Sequence, residues 1–147
     1  LPENKIMASS EALEELERME KVALNSQWRD RNPKISSVNI SRLKKHFKDM
    51  KSSPTIQKSD VICIQETWID PHHDETKNLN LDNYSSQFSS IGEGKGITTY
   101  YRESFQFKEE IIKPMYQFCK VSSEEKDVIN VYRSSNAPPS FLDDLKA

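Results

Sequence analysis

Glycine is scarce in this chain. Its 147 residues hold three, all within Gly92-Glu-Gly-Lys-Gly96. That placement excludes a G-x-x-x-x-G-K-[ST] phosphate loop. It also excludes a G-x-G-x-x-G turn opening a helix, because strand-like Ile97-Thr-Thr-Tyr-Tyr101 follows. The cluster reads as a tight loop between strands whose backbone needs positive φ. Cysteine is scarce too: Cys63 and Cys119 stand far apart in apolar runs, without metal-ligand spacing. They read as small buried hydrophobes in a reducing compartment. No apolar run approaches the roughly 18–20 residues that span a bilayer, and Leu1-Pro-Glu-Asn-Lys-Ile-Met7 lacks the form of a signal peptide. Neither sign of charge dominates: 21 Lys and Arg face 23 Asp and Glu, for a net charge of −2. Global attraction to nucleic acid is excluded, which leaves any such contact to a local patch. The expectation is an intracellular protein, nuclear or cytoplasmic, with no membrane partner. The sequons at Asn39 and Asn83 would be silent there.

Apolar residues make up 35% and charged residues 30% of the chain, and the mean hydropathy is −0.79. This is polar for one domain but not the composition of a wholly disordered chain. Residues 8–25 read as an acidic helix capped by Ser10, with Leu13, Leu16, Met19, Val22 and Ala23 in a narrow stripe. A first strand is expected at 34–40. An amphipathic helix follows at 41–52, with Leu43, Phe47 and Met50 on one face and a basic opposite face that reads as turned to water, with contact to a nucleic-acid backbone as the alternative. Pro54 ends it. Residues 67–83 read as a long polar loop in which His72, His73 and Asp74 are solvated rather than zinc ligands. Short strands follow at 84–88, 97–102, 105–113, 115–121 and 127–133, and a helix opens at Ser140. Trp28 and Trp68 read as packing residues, with base-stacking as the alternative. The division expected is a leading helix and linker at 1–33 and a domain at 34–147. The chain starts at Leu1 rather than Met, which points to a fragment.

The most informative stretch is Asp60-Val-Ile-Cys-Ile-Gln-Glu-Thr-Trp68. Val61 to Ile64 leave no polar face, as expected of a central strand covered on both sides. Glu66 stands at its end, where function tends to sit in parallel α/β sheets. A strand–helix–strand unit over 34–65 places two strands parallel.

Several segments in order resemble the endonuclease/exonuclease/phosphatase superfamily. Ile35-Ser-Ser-Val-Asn-Ile40 resembles its first strand, and Asp60 to Trp68 its D-[IV]-[IV]-x-[IL]-Q-E-T strand. Gly94-Lys-Gly-Ile-Thr-Thr-Tyr-Tyr-Arg102 resembles its G-x-G-[VI]-x-x-[YF]-x-R strand. Val128 to Arg133, with Phe141 to Leu145, resembles a later strand and helix. The pattern departs at Ser41-Arg42-Leu43, where the family often has small residues. Residues just before this domain resemble the linker of Helitron-type helicase open reading frames. The resemblance implies a partial four-layered α/β sandwich, a β-α-β unit followed by a β-meander, behind a leading α-helix. It implies Glu66 as a metal ligand for Mg or Mn, and Asn39 and Tyr132 as catalytic residues that touch the phosphate or orient the carboxylate.

The family's G-D-x-N motif and its terminal S-D-H are not in this sequence; the one Ser-Asp pair, Ser59-Asp60, opens the Q-E-T strand instead. A general base alone contributes about 10²–10⁴-fold. The expectation is therefore the amino-terminal part of a metal-dependent phosphodiesterase, from a mobile-element-derived protein. It should bind metal weakly or not at all and be inactive as given. Its sheet would expose an apolar face for want of the other half. Nucleic acid would be the partner of the complete domain. The alternative is a non-catalytic interaction module that docks a protein partner through helix 8–25.

Overall fold

The computed structural model describes residues 11–19, 33–72, 76–90 and 96–146. The chain divides into two units, Leu1–Pro33 and Lys34–Ala147. In the first, residues 11–19 form helix α1, exposed along its whole length, with Leu13, Leu16 and Met19 among its exposed residues. Ser10, Val22, Ala23 and Trp28 lie outside the described residues.

The second unit opens with β1 (Ile35–Asn39), α2 (Leu43–Ser52), the short α3 (Pro54–Gln57) and β2 (Val61–Gln65). Asp60 aligns the two strands before they pair. Its carboxylate accepts from the Lys34 N–H at 2.8 Å, and its own N–H donates to the Lys34 carbonyl at 2.7 Å. The strands then run parallel from Ile35 opposite Val61 to Asn39 opposite Gln65. Pro54 ends α2 as expected and begins α3 in the first-turn position it favours, with Ser53 as the cap.

The meander follows as β3 (Ser85–Ser89), β4 (Ile97–Tyr101), β5 (Gln106–Lys113), β6 (Tyr116–Ser122) and β7 (Asp127–Arg133), then helix α4 (Ser140–Lys146). Two sheets result, a four-stranded one in the order β1-β2-β4-β3 and a three-stranded one in the order β5-β6-β7.

Strand alternation assigns each face of β2 to a different core. Ile62 and Ile64 join Leu43, Met50 and Tyr100 beneath the helices. Val61 and Cys63 join Ile97, Cys119, Val121 and Val128 between the sheets. The outer face of the second sheet carries Tyr116 and Phe118, closed by Phe141 of α4 with ring centroids 5.5 Å and 5.3 Å away. The layers are thus helix, sheet, sheet, helix, and the expected sandwich is present.

Three expectations need correction. The sheet does not leave an apolar face bare, because the second sheet covers it. Exposed Ile35 and Ile129 sit instead on the edge strands β1 and β7. The segment 67–83 is not a purely polar loop. It carries a 3₁₀ turn (Thr76–Leu79) and buries Ile69, Leu79 and Leu81 in the helix-side core, where the Tyr100 hydroxyl donates to the Leu79 carbonyl at 2.6 Å. Trp68 is not a packing residue, for it is 46% exposed. The basic face of α2 does face water, with Arg42, Lys44, Lys45, Lys48 and Lys51 exposed.

Candidate active site

Past the paired register, the chain ends of β1 and β2 stay bound together. The Ile40 N–H donates to the Gln65 carbonyl (3.1 Å), the Arg42 N–H to that of Glu66 (2.8 Å) and the Leu43 N–H to that of Thr67 (2.9 Å). The Thr67 N–H in turn donates to the Gly96 carbonyl at 3.3 Å, which brings the start of β4 to the same point.

Holding this junction requires unusual backbone. Ser41 (φ 50°), Arg42 (97°), Glu66 (55°) and Trp68 (56°) all adopt positive φ, and Asn83 is the one other non-glycine residue to do so among the described residues. Residues held in sparsely populated conformations cost roughly 1–3 kcal/mol each and cluster at functional sites. Gly96 completes the junction at φ 60°, and a Cβ there would sit 2.9 Å from that of Ser90. Gly96 is the one described residue of the glycine cluster, and its conformation and surroundings leave no room for a side chain. Beside it, the Thr67 hydroxyl is buried with no hydrogen-bond partner among the described residues.

Asn39 pairs with Gln65 at the end of β1, is exposed, and shares a strand face with Ser37. The Gln65 side chain donates to Ser37 at 3.2 Å and to the Asn130 side-chain oxygen at 2.9 Å. That face of the sheet is therefore the one turned toward β7. Asn130 is 1% exposed. Its amide donates to the Thr98 carbonyl and the Thr99 hydroxyl, both at 3.0 Å, and more weakly to the Ile64 carbonyl at 3.4 Å. One side chain of the second sheet thus ties down both central strands of the first. Tyr132 follows two residues along the same inward face of β7, about 6.6 Å by strand repeat, half-buried against the inter-sheet core.

The structure thus sets Asn39 and Glu66 on adjoining strand ends. Tyr132 lies two residues along β7 from Asn130, whose side chain bonds Gln65, the residue before Glu66. Asn130 was not singled out from sequence, and the strain at Arg42 and Trp68 was not foreseen there. The visible signal was the Ser41-Arg42-Leu43 departure, bulky residues where the chain must turn with positive φ. Of the His72-His73-Asp74 group, His72 is exposed and takes part in a local turn, its N–H donating to Asp70 at 2.9 Å. His73 and Asp74 lie outside the described residues.

Magnesium accepts one or two carboxylates and keeps several waters. Glu66 offers one carboxylate, and no group of three or more His, Cys, Asp or Glu able to hold a metal occurs among the described residues. These residues fit one arm of such a site rather than a closed cage. Both thiols are free and buried between the sheets. Burial first, and then Cys119, pushes the Cys63 thiol up to about 12. Burial also raises that of Cys119, so both remain protonated near neutrality.

The α/β sandwich built this way is the fold of endonuclease/exonuclease/phosphatase proteins. Among solved structures the chain is similar to the 3′ phosphatase NExo from Neisseria bound to product DNA hairpin, with a TM-score of 0.56 and 17% identity, over 78% of this chain and 48% of that one. It is also similar to the AP endonuclease LMAP from Leishmania major, with a TM-score of 0.54 and 18% identity, over 76% of this chain and 43% of that one. The chain spans about half the length of these structures. No family model and no curated protein matches it.

Proposed function

We propose that residues 34–147 are the amino-terminal part of a divalent-metal-dependent phosphodiesterase domain acting on nucleic acid. Glu66 supplies a carboxylate to Mg or Mn. Asn39 orients that carboxylate or touches the phosphate, and Tyr132 contacts a phosphate oxygen. The observation that carries this reading is the convergence of four strained residues, Glu66 among them, at the ends of two parallel strands. Ordinary strand ends do not need such backbone, and phosphate chemistry needs a cation held there. The sandwich fold supports the same reading.

The family's G-D-x-N and S-D-H motifs are not in this sequence, and no group of three or more His, Cys, Asp or Glu able to hold a metal occurs among the described residues, so no cleavage by the chain as given is expected. The sequence likeness of its leading segment favours an origin in a mobile-element-derived protein that works inside the cell. Among the described residues no helix is long and apolar enough to cross a membrane. The test is magnesium-dependent nicking of supercoiled plasmid. No nicking above buffer is expected, and nicking that Glu66→Ala abolishes would overturn the inactivity.

One observation favours a second reading, an interaction module. The Leu13, Leu16 and Met19 stripe of α1 is exposed, as a helix docking into a partner's groove would present it. Replacing all three by Ser should leave cation binding at Glu66 untouched and abolish association with any partner of that kind.

A further inference from the structure

We propose that Trp68 and Arg42 form a stacking platform for an unpaired nucleobase beside the Glu66 strand end, so that the substrate is single-stranded or locally unpaired nucleic acid. This rests on the phosphodiesterase reading and adds the form of the substrate. Trp68 is exposed while both its neighbours, Thr67 and Ile69, are 1% exposed. The Thr67 backbone is pinned on both sides, to Gly96 and to Leu43. A bulky aromatic at φ 56° is an outlier. The fold therefore holds the indole partly exposed, at a cost in backbone energy.

Arg42 is strained as well, and its backbone is fixed to Glu66. Its guanidinium lies 5.8 Å from the centroid of the Trp68 ring. Indole and guanidinium planes are the two surfaces on which splayed bases stack, and neither reads base identity. Beyond Arg42, α2 exposes Lys44, Lys45 and Lys48, with one acidic neighbour, Asp49. In a chain of net charge −2, this basic run complements a phosphate backbone leading away from the stacked base. A duplex hides its base faces, so the platform selects unpaired strands.

The test compares binding of a fluorescein-labelled thymidine oligonucleotide with that of an abasic oligomer of equal phosphate count, by anisotropy at low salt in EDTA. Stacking is worth about 1–3 kcal/mol per base, so the thymidine strand should bind about 5- to 150-fold more tightly. Trp68→Ala should erase that difference and Trp68→Phe should keep part of it, with thermal melting confirming that both variants fold. Glu66→Gln should leave the difference intact, which separates this inference from the metal reading. Equal binding of the two oligomers, binding of neither, or a difference that survives Trp68→Ala in folded protein would overturn the platform.

Discussion

At the scale of single residues, the account turns on a buried asparagine and a strand-end glutamate. Asn130 satisfies Gln65, two carbonyls and a hydroxyl from the opposite sheet. Asn130→Ala strands those partners in the core, so the folded state should lose about 1–3 kcal/mol. Urea unfolding measures this, and an unchanged midpoint would mean that Asn130 does not pin the sheets. Glu66 was legible because it closes an apolar run with a specific Q-E-T pattern. Asn130 was not, because its partner Gln65 stands 65 residues away and its worth appears only when one sheet lies on the other.

The cysteines were legible as buried hydrophobes, and their chemistry should agree. With both thiols raised by burial, native protein at pH 8 should resist alkylation that denaturant permits. Each folded pKa lies above the unfolded thiol value. The stability these groups contribute is therefore complete below the unfolded value and lost as pH rises through the folded one, about 12 for Cys63.

At the scale of elements, periodicity found the strands and the amphipathic helix to within a residue or two, because burial on one or both faces writes itself into the sequence. It failed where burial is aperiodic. Leu79 and Leu81 enter the core from a segment with no repeating pattern, and no local rule marks such residues. Left-handed backbone at Ser41, Arg42, Glu66 and Trp68 was equally hidden, since none of these residue types favours it.

The last helix offers a measurable seam. The Tyr116 hydroxyl donates to Asp144, and Lys113 pairs with Asp144 at 3.2 Å. The hydrogen bond from Tyr116, and then the one from Lys113, lowers the Asp144 carboxyl. That contribution is present above the ordinary carboxylate range and lost as pH falls through the depressed folded value. Tyr116→Phe should therefore flatten the acid limb of the stability profile. An acid limb identical to that of the unmutated protein would dismiss the seam. Phe141→Ala should cost about 3 kcal/mol, at the low end for a buried aromatic, because α4 is short.

At the scale of the whole molecule, four layers form in a chain that spans about half the length of the solved structures it matches. Each central face is covered, and apolar exposure in this unit reaches the edge strands β1 and β7. The β-α-β unit and the meander were legible from periodicity, while the four-layered sandwich was legible only through the family resemblance of segments taken in order. The joining of the sheets through polar side chains was not, because it depends on contacts between distant segments.

The central claim is that the strand end carrying Glu66 is one arm of a divalent-cation site. Titrating manganese into ¹⁵N-labelled protein tests it most directly, since the paramagnetic ion broadens amide signals around wherever it binds. The account predicts broadening centred on Glu66, Thr67 and Arg42, absent in Glu66→Gln. Broadening centred elsewhere, or unchanged in that variant, would contradict it.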